Sequence, residues 1–108
     1  MSPPQGASQA LAFVRSQAAA RRVLYTEKAK ADLDAFDQPL DVDDIRDHLC
    51  AARDEEIDDF LDDETRAEKK VLILRLFVAE TRCYCKVSLS VGWDRSVCVL
   101  SFKPWRAS

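Results

Sequence analysis

Apolar residues recur every three or four positions through the first half of the chain, then every second position through its last third. The first rhythm predicts helices. Leu11, Val14 and Ala18 share one helical face, with Ser8 placed to cap it and Arg21-Arg22 at the end where cations suit free carbonyls. Val23-Leu24-Tyr25 is short and reads as extended. Thr26 then caps a second helix with Glu27 in its first turn and Ala29, Leu33 and Phe36 inward; Pro39 stops it. Asp41 or Asp43 caps a third, with Val42, Ile45, Leu49 and Ala52 inward. Asp54 caps a fourth, in which Ile57, Phe60 and Leu61 are the large apolar residues.

The second rhythm predicts strands over 70–79, 83–91 and 96–103, joined by short links. The expected fold class is therefore α+β: N-terminal helices packed on a C-terminal three-stranded antiparallel meander. A length of 108 residues leaves room for one core. Residues 1–8 are expected to be frayed and 9–108 to form a single domain. Strict alternation also predicts register. Burying Cys83, Cys85, Val87, Leu89 and Val91 together pairs Val91 with Ser96, Leu89 with Cys98, Val87 with Leu100 and Cys85 with Phe102. On the opposite face, Tyr84 meets Lys103 and Lys86 meets Ser101. A first hairpin closed by four residues sets Val78 against Cys83, Leu76 against Cys85 and Leu74 against Val87, and on the other face Phe77 against Tyr84 and Arg75 against Lys86. Opposed residues lie about 4.5–5.5 Å apart. Two cations directly opposed repel, an arrangement that suits a surface built to receive a polyanion beside aromatic rings.

The charge distribution sharpens this expectation. The net charge is −3, but residues 27–68 hold 17 acids against 5 bases, whereas residues 69–108 hold 8 bases against 2 acids. The basic end coincides with the predicted sheet. The acids concentrate over 54–64, where the spacing and the lack of a central glycine exclude a calcium-binding EF-hand loop. The four cysteines, with a single His48, match no paired CxxC zinc pattern and read as small core hydrophobes. No metal and no cofactor are expected. Met1 to Gln9 contain no basic stretch followed by an apolar core, and no apolar run reaches 18 residues, so the expected location is cytoplasmic, with no membrane partner.

The run Tyr84-Cys85-Lys86-Val87 followed by Val99-Leu100-Ser101-Phe102-Lys103, with Asp59-Phe60 upstream, resembles the motility quorum-sensing regulator (MqsR) family of toxins. The likeness extends from about Leu11 to Lys103. It implies a RelE-like fold and an endoribonuclease, the mRNA interferase of a type II toxin-antitoxin system, which cleaves mRNA without a metal and is neutralised by a cognate antitoxin; a homodimer is compatible with it. It also implies catalytic roles for Tyr84 and Lys103. Arg75, Phe77, Lys86, Ser101, Trp105 and Lys70 are the accompanying candidates for RNA binding. The sequence departs from the family at Asp62, where a lysine is usual, and a polar residue expected ahead of the sheet has no clear match; Lys69 or Lys70 is the substitute. A non-catalytic RNA- or protein-binding module on the same fold is the alternative.

Overall fold

The computed structural model describes residues 6–66, 68–90 and 97–105. The chain runs α1 (Ala7–Ala19), β1 (Val23–Tyr25), α2 (Glu27–Asp32) with a 3-10 turn over Leu33–Ala35, α3 (Val42–Ala51), a second 3-10 turn over Asp54–Glu56, β2 (Ile57–Asp62), β3 (Lys69–Val78), β4 (Thr81–Ser90) and β5 (Val97–Pro104). The strands form one mixed sheet in the order β1-β5-β4-β3-β2, with β1 parallel to β5 and the other pairs antiparallel. This overturns the expected architecture. The class is α+β, but β1 falls between α1 and α2, and β1 and β2 flank the β3-β4-β5 meander to make a sheet of five strands, so the expected RelE-like arrangement of N-terminal helices over three strands does not form.

The predicted fourth helix is strand β2, and its spacing explains the misreading. Ile57 pairs with Leu74 and Phe60 with Leu72, yet Asp59 pairs with Ile73, so Asp58 is an extra residue in a β-bulge. The bulge puts Ile57 and Phe60 three residues apart on the same face, the interval a helix also gives. A second bulge acts in β5. Lys86 pairs with Ser101 but Val87 pairs with Val99, leaving Leu100 extra. Val97, Val99 and Phe102 are therefore the fully buried residues of β5, while Cys98 and Leu100, expected inside, turn to the opposite face. Beyond Lys86 the expected pairs fail by one position; Val91 and Ser96 lie outside the described residues.

The β3–β4 hairpin closes through two residues, Ala79 and Glu80, with φ of 51° and 61°. Both central residues are thus left-handed, as in the turn that matches strand twist, without the glycine or asparagine that normally announces it. Each costs on the order of 1 kcal/mol. The four-residue loop expected from the sequence is replaced by a pairing two positions along, which keeps every face but changes every partner. Arg75 meets Tyr84, Ile73 meets Lys86 and Phe77 meets Arg82. The direct opposition of Arg75 and Lys86 does not occur.

Helices α1 and α3 pack on each other and cover one face of the sheet, where Leu11, Val14, Ile45 and Leu49 meet Leu72, Leu74, Val87, Val99 and Phe102. Asp41 caps α3 through a reciprocal capping box with Asp44. Thr26 caps α2 as expected. Ser8 does not cap α1, which begins after Gly6; its hydroxyl donates to Asp54 instead. The frayed stretch expected over residues 1–8 lies largely outside the described residues, and Ala7 and Ser8 already belong to α1.

Cys83 and Cys85 face this core, and both are fully buried. Burial, with a smaller push from Asp32, raises the Cys83 thiol from 9.0 to about 12, and burial raises Cys85 well above its ordinary value. In the unfolded chain both thiols ionise near pH 9, while in the fold they stay neutral. The stability they support is complete below pH 9 and declines as pH rises towards 12. The urea midpoint is expected to fall between about pH 8 and about pH 10.5, and to fall less in a Cys83→Ala/Cys85→Val variant. A decline equally steep in that variant would exclude the thiols as its cause.

Candidate nucleic-acid interface

The sheet face turned away from α1 and α3 carries the polar half of the alternation. Tyr84 stands opposite Lys103, and Lys86 opposite Ser101, as the sequence predicts. An open groove of about 330 Å³ is lined by Lys28, Tyr84, Lys86, Ser101, Lys103, Pro104 and Trp105. Three strands and one helix contribute to the surface. β4 and β5 supply the groove floor, β3 brings Arg75 alongside, and α2 adds Lys28 at the rim.

The aromatic and cationic groups form a continuous stack. Asp58 on β2 holds the Arg75 Nε at 2.8 Å. The Arg75 guanidinium lies 4.7 Å from the Trp105 ring centre. Trp105 tilts against Tyr84 at 5.4 Å and 55°, and the Lys103 Nζ lies 5.5 Å from the Tyr84 ring. Each contact is worth about 0.5–1.5 kcal/mol. Their joint effect is to fix the orientation of Tyr84 and Trp105. The backbone N–H of Trp105 also donates to the Arg82 carbonyl at 2.6 Å, tying the chain after β5 to the start of β4.

The helix α2 holds β5 in place beside this stack. β1 pairs only with Val97 to Val99, which leaves the β5 edge open further along. α2 fills it. Thr26 Oγ1 donates to the Leu100 carbonyl, and the Phe102 N–H donates to Asp32 Oδ2 at 3.1 Å. Asp32 also pairs with Lys28 at 3.1 Å, and the Lys28 Nζ donates to Ser101 Oγ at 3.1 Å. An exposed strand edge is thereby closed, and a cation is delivered to the groove.

Of the residues expected at the site, Tyr84, Lys86, Ser101, Lys103 and Trp105 line the groove and Arg75 supports it. Phe77 is on the same face and exposed, but it stands two positions nearer the hairpin turn, opposite Arg82 and away from Tyr84. Lys70 is not part of the site. It projects on the helix-covered face at the far end of β3, paired with Asp62 at 2.6 Å and lying over Phe60 at 5.6 Å. Lys69, the other substitute considered, alternates to the groove face but stands at its far end, opposite Ser90. Asp62, where the lysine of the family pattern is missing, is engaged with Lys70.

Two cations escaped the sequence reading. Arg82 lines a small recess with Arg75 and Trp105. It shares the alternation of Tyr84 and Lys86, and only the overlong loop hid it. Lys28 carried no signal, because its position depends on how α2 meets β5. The acids of 54–64 run along a 3-10 turn, a strand and a bend, not around a helix. Among the described residues no three carboxylates, histidines or thiols gather as a metal-binding group, and no helix is long and apolar enough to cross a membrane. Compared with known protein families, with curated proteins and with solved structures, the chain finds no match in any of the three.

Proposed function

We propose that this chain is an endoribonuclease toxin, an mRNA interferase of the MqsR type neutralised by a cognate antitoxin, and that the groove between β4 and β5 receives single-stranded RNA. The observation that carries this reading is the cross-strand pair Tyr84–Lys103, flanked by Trp105, Lys86, Lys28 and Ser101 in one groove. Cations spaced along a groove attract phosphates, and the half-buried indole and phenol offer stacking surfaces to unpaired bases.

Cleavage in such a site uses the 2′-hydroxyl of the substrate as nucleophile. The hydroxyl oxygen attacks the adjacent phosphorus, the bond to the 5′-oxygen breaks, and the products are a 2′,3′-cyclic phosphate and a free 5′-hydroxyl. The groove contributes positioning and charge. Lys103 and Lys86 neutralise the phosphorane, Ser101 and Lys28 hold a non-bridging oxygen, and the Tyr84 hydroxyl orients the phosphate and passes its own proton to the departing 5′-oxygen as it takes up the one released by the 2′-hydroxyl. A second reading, the non-catalytic RNA-binding module, draws on one observation: neither a histidine nor a carboxylate lines the groove among the described residues.

Incubating the purified protein with a long RNA in EDTA and mapping the ends separates the two. Discrete cuts with 2′,3′-cyclic phosphate ends are expected. Binding that weakens with salt but yields no cuts supports the module, and no binding at any salt defeats both readings.

A further inference from the structure

On the side of Trp105 nearer the β3–β4 turn lies a small recess of about 70 Å³, lined by Arg75, Arg82 and Trp105. Trp105 lines both this recess and the groove, so the two adjoin. Asp58 engages the Nε of Arg75. Arg82 is exposed and has no ion pair among the described residues. Two cations against one carboxylate leave the recess positive. Directly across the ladder from Arg82 stands Phe77, which at 64% is the most exposed large apolar side chain among the described residues. A lone exposed ring is ordinary on a protein surface. This one lies within cross-strand reach of a free guanidinium, at the end of a cationic groove.

Spacing ties the recess to the groove. Arg82, Tyr84 and Lys86 alternate onto one face of β4, two residues apart. Two residues of antiparallel strand span about 6.8 Å, close to the separation of successive phosphates along an extended single strand. A strand whose scissile phosphate lies at Tyr84 and Lys103 therefore brings a neighbouring phosphate to Arg82. The base of that nucleotide meets Phe77, because directly opposed side chains lie about 4.5–5.5 Å apart. Stacking asks only for a π-face, so no base identity is read there. A protein partner fits less well, since the apolar area is a single ring bordered by guanidinium groups. We propose that Phe77, Arg82 and Arg75 form an accessory nucleotide subsite, which stacks one base and holds one phosphate of the RNA strand flanking the cleavage position, whatever its sequence. The inference rests on the RNA-binding reading of the groove.

The test uses a 2′-O-methylated uridine dodecamer, which cannot be cut, with binding followed by fluorescence anisotropy over a range of salt. Phe77→Leu keeps an apolar side chain and removes the π-face. It is expected to weaken binding about tenfold and to leave the salt dependence unchanged. Arg82→Gln is expected to make the slope of log K against log salt shallower by about 0.7, the loss of one phosphate contact to a single strand. Both positions are exposed, so both variants should melt with the wild type. With 5-iodouridine in the dodecamer, ultraviolet light is expected to cross-link a base to Phe77, located by mass mapping of the peptides. Wild-type affinity in Phe77→Leu, a wild-type slope in Arg82→Gln, or cross-links that bypass Phe77 overturn the subsite and leave the groove reading intact. No binding of the dodecamer by the wild type overturns the groove reading and the subsite with it.

Discussion

Lys103→Ala is expected to lower RNA cleavage by about a hundredfold or more while shifting the melting temperature by no more than a few degrees. Lys103 is exposed, and the contacts of its ammonium are the Tyr84 ring at 5.5 Å and the groove. Truncating an exposed side chain of this kind costs about 0.5 kcal/mol or less in stability. Removing the charge that faces a developing phosphorane costs roughly 3–4 kcal/mol in the barrier. Tyr84→Phe is the companion. It keeps the ring between Trp105 and Lys103 and deletes only the hydroxyl, so RNA affinity should persist while the rate falls. Single-turnover cleavage of one defined RNA, with binding measured separately, distinguishes the two effects. Wild-type cleavage by the Lys103→Ala/Tyr84→Phe double variant would falsify the assignment.

Much of this site was readable because alternation survives errors of register. The expected first hairpin was displaced by two positions, and an even displacement leaves every side chain on its own face. Tyr84, Lys86, Ser101, Lys103 and Arg75 therefore reached the predicted surface although Arg75 acquired a different partner. The expected second hairpin holds where Tyr84, Cys85 and Lys86 meet Lys103, Phe102 and Ser101, and fails beyond Lys86, where one extra residue reverses the faces. Nothing in Val99-Leu100-Ser101 marks that bulge, since an apolar run is compatible with either phase. The same device in β2 made a strand resemble a helix. Ile57 and Phe60 are separated by three residues in both readings, and only the free edge of β3 decides between them.

The contributions of α2 were beyond the reach of periodicity. Thr26 is a helix cap by its side chain, and a partner of β5 by both its N–H and that same hydroxyl. Asp32 serves Lys28 and the Phe102 N–H at once. These links join residues some seventy positions apart, and they exist because β1 is three residues long and leaves β5 uncovered. Strand length and the docking of a helix at a sheet edge are tertiary outcomes, so the sequence holds no local signal for Lys28 at the groove.

Phe102→Ala is expected to do the opposite of Lys103→Ala, although the two residues are neighbours. Phe102 is fully buried, and its ring lies 5.8 Å from Phe36 and 6.5 Å from His48. It fills the junction where the 3-10 turn after α2, the end of α3 and β5 meet. Deleting a buried phenyl loses its transfer free energy and leaves a cavity, together about 3–5 kcal/mol. For a domain of this size that corresponds to a fall in melting temperature of roughly 15–30 °C. The backbone N–H of residue 102 still reaches Asp32, so the loss measures packing and not the α2 latch. Urea unfolding of the two variants side by side supplies the check. A Phe102→Ala protein as stable as the wild type would mean that β5 does not turn this residue into the core, and the phase that sets Lys103 beside Tyr84 would be wrong with it.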